Sequence, residues 1–329
     1  MTAVERAVRQ SAPLRDSLTS SVNSSSRIKP PPLRTGDTVG VVASAAAVDR
    51  EYLERGVQEL ARQGYRVKVS ERALARDRIL AGTDGERASE LTRFFRDPEV
   101  RAIFAARGGY GAGRLLPLID FERLRRTPKI FVGFSDQTFL LNAIAEQARM
   151  VCFHGPMVAK DVAGGISARS MEHLRRLLAG ELDRFDLRAA EAIHPGAAQG
   201  ALIGGCLSIV VAMLATPYVP DFTGKILFLE DTGEKAYRID RMLVQLRHSG
   251  ALEQVAGVVF GGMHSPGDSE SEQRLIRQFA AEQTAGLGVP VLWGIEAGHG
   301  TENFTLPIGL RARLDAAACR ISFEERAVS

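Results

Sequence analysis

Three short segments carry residue types that together make an acyl-transfer site. Ser135 stands in Gly133-Phe134-Ser135-Asp136, directly after an apolar run. Glu230 closes the apolar run Leu227-Phe228-Leu229 and is followed by Asp231, and His299 sits between Gly298 and Gly300. A hydroxyl, an imidazole and a carboxylate are the minimum set for a nucleophile, the base that takes its proton and the group that orients the base. The order Ser, acid, His along the chain is that of α/β hydrolases. Each segment lies where a strand is expected to end, and open α/β sheets keep their chemistry at strand ends.

Each residue also has a plainer reading. Between a buried strand and a helix start, Ser135 reads either as a nucleophile elbow or as a helix N-cap. Gln137 occupies the place of the last glycine of Gly-x-Ser-x-Gly. The run Arg107-Gly108-Gly109-Tyr110-Gly111 is either a tight turn or a loop whose N–H groups approach an anion. In the second case it supplies one oxyanion donor and the Asp136 N–H the other. It lacks the P-loop and dinucleotide glycine patterns. A carboxylate at the end of an apolar strand needs a partner; for Glu230 the candidates are His299 and Arg241. His299 is either a solvated loop residue or a group brought close to a ligand by its glycines. No His-x-x-x-His or His-Glu-x-x-His spacing occurs, so no metal and no cofactor are expected.

The elements that must place these residues follow from hydrophobic patterning. Strands are expected at 38–43, 65–69, 102–106, 129–134 and 151–153. Helices are expected at 50–63 (with Leu53, Val57, Leu60 and Ala61 inward), 88–96 and 137–147. Alternation of mostly apolar strands with helices implies a parallel sheet covered on both faces. A helix at 166–178 and a polar, Pro- and Gly-punctuated stretch at 181–199 follow. A second block then holds helices at 207–214, 237–248 and 272–285, strands at 226–229, 258–261 and 290–294, and an alternating strand region at 306–324. The expected organisation is a tail over 1–32, a nucleophile-bearing N-terminal α/β domain over 33–165, a connector over 166–199, and a C-terminal α/β domain with extra strands over 200–329. The Ser-rich, then Pro-rich tail is expected to be disordered or loosely attached, and it has no secretory apolar core.

The whole chain narrows the function classes. At 329 residues it is long enough for two domains, with 45% hydrophobic and 25% charged residues as in ordinary globular proteins. A net charge of +3 from scattered arginines does not form a nucleic-acid groove. No apolar run reaches membrane-spanning length. Cys152, Cys206 and Cys319 are scattered and odd in number, which fits reduced thiols rather than a disulfide framework.

With these segments in view, residues 33 to 325 or so resemble the LD-carboxypeptidases, serine peptidases that trim cell-wall peptides. The resemblance rests on Gly36-Asp37-Thr38-Val39-Gly40, Arg107-Gly108-Gly109-Tyr110-Gly111, Gly133-Phe134-Ser135-Asp136 and Phe153-His154-Gly155-Pro156-Met157. It continues through Gly204-Gly205, Leu227-Phe228-Leu229-Glu230-Asp231, Ile239-Asp240-Arg241-Met242, Gly298-His299 and Thr305-Leu306-Pro307-Ile308-Gly309. The resemblance implies a Ser135–Glu230–His299 triad, a site between two domains, a cytoplasmic homodimer and a small muropeptide substrate. Position 206 is Cys where many relatives have Asn. On this reading the N–H groups of Gly109 and Asp136 form the oxyanion hole. Arg107, Gly108, Tyr110 and Arg241 are the candidate substrate-binding residues. Two branches are distinguished: removal of the terminal D-alanine from murein tetrapeptides, and cleavage of peptidyl or aminoacyl adenylate analogues as in microcin C immunity. Residues 164–199 hold one Phe and no Tyr or Trp, so a base-stacking platform is lacking there and the murein branch is favoured. An α/β-hydrolase-like esterase and a non-catalytic ligand-binding module are the readings from other classes.

Overall fold

The computed structural model describes residues 27–263 and 269–329. Two sheets organise the chain. The first has the order β12-β5-β4-β3-β1-β2. Its strands β1 (Thr38–Val42), β2 (Arg66–Val69), β3 (Val100–Ala105), β4 (Ile130–Gly133) and β5 (Cys152–His154) are all parallel. Helices α1 (Arg50–Arg62), α2 (Asp84–Arg96), α3 (Phe121–Arg126) and α4 (Thr138–Gln147) connect them. β1 and β4 are buried at every position, as a parallel strand covered on both faces requires. Helix α1 buries Leu53, Gly56 and Leu60, while Ala61 is exposed. Gly56 lies so close to the Val158 backbone that a Cβ there would overlap it. This contact sets the position of a wide helical turn at Val158–Val162.

The second sheet has the order β6-β14-β13-β8-β9-β10-β11-β7. Its parallel centre is β8 (Ala197–Cys206), β9 (Ile226–Asp231), β10 (Gly257–Met263) and β11 (Val291–Trp293). Helices α6 (Leu207–Met213), α7 (Ala236–His248) and α8 (Glu270–Thr284) lie between these strands in the chain, after α5 (Ala168–Leu178). Strands β13 (Arg311–Asp315) and β14 (Arg320–Phe323) add antiparallel pairs. The stretch read as a connector instead forms β6 (Phe185–Arg188), β7 (Glu191–His194) and the start of β8. β6 pairs with β14 at one edge of the sheet and β7 with β11 at the other. Between them Ala189 N–H donates to Cys319 O and Ala190 N–H to Trp293 O. One segment therefore supplies both end strands of the sheet, β6 beside β14 and β7 beside β11.

Two features tie the halves together. Strand β12 (Leu306–Ile308) leaves the second half of the chain and pairs antiparallel with β5 in the first sheet. Of the expected loose tail, residues 1–26 lie outside the described residues. Residues 27–32 are docked: Ile28 bonds the backbone on either side of Met150, and Arg27 reaches Ala145 O and Glu146.

Candidate active site

Ser135 follows β4 and opens a single 3-10 turn, Ser135–Gln137, that runs into α4. It has φ +60°, rare for a residue with a side chain. Phe134 caps that turn and Gln137 caps α4, so Ser135 is not an N-cap, and the backbone strain is of the kind that collects at functional sites. Gln137 explains the departure from Gly-x-Ser-x-Gly. Its buried side chain folds back over Gly133, accepts from Ser44 Oγ at 2.8 Å and donates to Arg107 O at 3.0 Å. It thereby locks the turn under Ser135 to the glycine loop.

That loop presses on Ser135. A Cβ on Gly108 would lie 3.0 Å from Ser135 Cβ, 3.1 Å from its Oγ and 3.3 Å from Asp136 N. Below it, the buried Arg87 donates to Gly111 O at 2.9 Å and to Ser44 O at 2.7 Å. The Asp136 carboxylate accepts from Ala112 N at 2.8 Å; burial pushes its pKa up, against the pull of the Ala112 and Gly111 N–H groups.

Glu230 is the penultimate residue of β9 and has no exposed surface. Its Oε2 accepts from His299 Nδ1 at 2.7 Å and from His299 N at 3.1 Å. Its Oε1 lies 3.4 Å from His154 Nε2. Burial alone would raise the carboxyl pKa, but the hydrogen bonds from His154 and His299 hold it down at about 2. The pairing with Arg241 weighed from sequence is not made: that residue is exposed on α7, its guanidinium 5.5 Å from the Tyr237 ring centre. Gly298, at φ +99°, has to be glycine because a Cβ there would overlap the Glu230 carboxylate. Asp231 caps α6 by accepting from Ser208 N at 2.7 Å.

Ser135 and His299 open into one cavity of about 440 Å³, whose walls include Asp49, Tyr52, Arg107, Gly108, Gly109 and Lys160. Thus Ser135, His299, Arg107, Gly108 and Gly109 come together, Glu230 stands behind His299, and Asp136 adjoins Ser135. Tyr110, half exposed, and Arg241 do not line this cavity. Sequence reasoning missed Lys160 and His154. Lys160 Nζ lies 5.0 Å from the centre of the Phe134 ring. That ring is itself 4.7 Å from His299 and 5.6 Å from His154, centre to centre.

The Gly204-Gly205 pair explains how the halves meet here. The Asn142 side chain on α4 bonds both N and O of Gly204, at 3.0 and 2.9 Å, and Thr138 Oγ1 accepts from Cys206 N at 3.0 Å. A Cβ on Gly205 would lie 2.6 Å from Thr138 Oγ1. The helix that follows Ser135 is therefore seated on the strand next to the one that carries Glu230.

A strained hydroxyl, an imidazole in the same cavity and a buried carboxylate on that imidazole are the parts of an acyl-transfer site on a two-sheet α/β fold. Models of the LD-carboxypeptidase N-terminal and C-terminal domains match residues 39–155 and 199–314. The chain belongs to the LD-carboxypeptidase family. It is 37% identical over 293 residues to a probable murein peptide carboxypeptidase of Bacillus subtilis (strain 168), covering 88% of this chain and 92% of that one. The crystal structure of muramoyltetrapeptide carboxypeptidase from Oxalobacter formigenes superposes with a TM-score of 0.78 at 31% identity, over 87% of this chain and 97% of that one. The microcin C7 self-immunity protein MccF of Escherichia coli is 26% identical over 331 residues, 91% of this chain and 96% of its own. The MccF structure with glutamyl sulfamoyl guanosine has a TM-score of 0.83 at 22% identity, over 92% of this chain and all of that one, a likeness of fold.

Proposed function

We propose that this protein is a serine LD-carboxypeptidase that removes the terminal D-alanine from murein tetrapeptides. The observation that carries the reading is the strained Ser135 in one cavity with His299, whose Nδ1 is held by the buried Glu230. With Nδ1–H on Glu230, the His299 Nε2 lone pair is free to take the Ser135 proton. Ser135 Oγ then attacks the carbonyl before D-alanine. The N–H groups of Asp136 and Gly109 hold the oxyanion, His299 protonates the leaving amine, and water cleaves the acyl-enzyme. The terminal carboxylate of the substrate is met by the cations of the cavity, Arg107 and Lys160. A cytoplasmic location and a homodimer, implied by the family resemblance, belong to this reading.

The MccF-like reading has one observation in its favour. Tyr52 lines the cavity and is 45% exposed, a ring on which a nucleobase could stack. Phe185 offers none, since it stacks on Phe323 at 4.7 Å, and Trp293 lines a different cavity. The murein reading has the more similar relatives. Incubation with L-Ala-D-Glu-diaminopimelate-D-Ala should give the tripeptide and one D-alanine by mass spectrometry. Cleavage of an aminoacyl sulfamoyl adenylate with no tripeptide formed would reverse the choice. A fluorophosphonate probe should label Ser135; no labelling would remove the serine mechanism.

A further inference from the structure

We propose that His154 is a positioning residue for Glu230: as a neutral imidazole protonated on Nε2, it donates to Oε1 and fixes the plane in which Oε2 meets His299. The kinetic half of this inference rests on the function proposed above; the tautomer half does not.

His154 ends β5, in the sheet that carries Ser135, while Glu230 lies one residue before the end of β9 in the other sheet. Its ring has no exposed surface and Nε2 is 3.4 Å from Glu230 Oε1. Phe134 and Phe228 meet the ring edge-on at 5.6 and 5.1 Å, and a Cβ on Gly205 would stand 3.3 Å from its Cδ2. The ring is thus confined to one orientation. Its other nitrogen, Nδ1, is buried with no hydrogen-bond partner among the described residues.

That asymmetry decides the proton. A hydrogen on Nδ1 would be a buried donor with nothing to meet, while a bare Nε2 would turn its lone pair on the carboxylate. A doubly protonated ring would bury a charge with one side unmatched. A proton on Nε2 alone leaves only an unsatisfied acceptor, the less costly defect. A carboxylate held at both oxygens cannot swivel. Glu230 otherwise has one oxygen engaged by His299 and the other unmatched in a dry interior, where it would rotate or take a proton. His154 is also the contact through which the seating of one half of the molecule on the other reaches the His299 carboxylate.

The wild-type protein tests the tautomer directly. In 15N-histidine NMR at the pH of the turnover assay, His154 should show the Nε2–H form, coupled to Glu230; an Nδ1–H or doubly protonated ring overturns the proposal. Kinetics on the tetrapeptide test the consequence. His154→Ala should lower kcat on the order of 10- to 100-fold with KM little changed, the effect expected of losing a bond to a charged group. His154→Gln, which offers an N–H near the same place, should recover most of that loss. A Gln variant as poor as Ala, an Ala variant with normal kcat, or an effect confined to KM would each overturn the proposal. A wild-type enzyme inert to the tetrapeptide refutes the function proposed above and leaves His154 to be judged by its tautomer.

Discussion

Gly108→Ala places a methyl group where the oxyanion is expected, with little reason to unfold the protein. Gly108 is not among the glycines with positive φ, so alanine can adopt its backbone. The new Cβ would lie 3.0 Å from Ser135 Cβ and 3.3 Å from Asp136 N. Non-bonded carbons rest at about 3.5–4.0 Å, so loop or serine must yield by roughly half an ångström. Overpacking of this size costs about 1–3 kcal/mol, partly offset by about 0.4–1 kcal/mol from the stiffer unfolded chain. A melting-temperature drop of only a few degrees is expected, roughly 2–6 °C. The chemical step should suffer more. Closing the space beside the Asp136 N–H removes one oxyanion donor, which costs about 2.7–4 kcal/mol or 10²- to 10³-fold in kcat. Released D-alanine measured with a coupled oxidase gives kcat and KM, and differential scanning fluorimetry gives the melt. Turnover within about threefold of wild type would refute the placement of the oxyanion, because that is under 1 kcal/mol of barrier. A collapse of the melting temperature would assign Gly108 to folding instead.

Ser135→Ala and His299→Ala should each lower kcat by about 10³-fold or more with unchanged melts, since such groups act as a unit; near-normal turnover of either sinks the mechanism. Lys160→Met should raise KM for the tetrapeptide about tenfold, as for a lost charge-assisted contact, and leave the C-terminal amide unaffected; equal effects on acid and amide would clear Lys160 of reading the carboxylate. Glu230 drops from an ordinary 4.5 to about 2 in the folded protein. Its stabilising contribution is complete above the ordinary carboxylate range and is lost as pH falls through the lowered folded value. The stability gap between wild type and Glu230→Gln, from urea melts, should therefore narrow on acidification below about pH 4.5; a gap that stays constant would mean the folded carboxyl is not ionised.

The parallel core was legible because burial on both faces leaves continuous apolar runs, and 38–43 and 129–134 are such runs. β6 and β7 were hidden by Glu191, Pro195 and Gly196, although Phe185-Asp186-Leu187-Arg188 does alternate. The pairing of β12 with β5 leaves no local trace, because register between distant strands is set by packing. The Ser, Glu and His segments were visible from residue type and position at strand ends. His154 stood in plain view within Phe153-His154-Gly155-Pro156-Met157; what concealed it was that its partner lies 76 residues away. A buried carboxylate in need of a second donor was the available signal. Arg241 shows the converse: an amphipathic helix fixes which residues are apolar, not which cavity its charged face meets.

Strand β12 has a consequence for how the molecule is made. β5 is an edge of its sheet until β12 arrives, and β12 is encoded about 150 residues further on. During synthesis, the sheet bearing Ser135 can assemble early but keeps a bare edge, a site for wrong pairing. The same late stretch carries His299, seven residues ahead of Leu306 in the chain. Closing the edge and delivering the imidazole are thus one event in time. A ribosome-bound chain that has Ser135 in place does not yet have His299 beside it, so on the mechanism proposed above the serine would gain its base only when the sheet it stands on is finished.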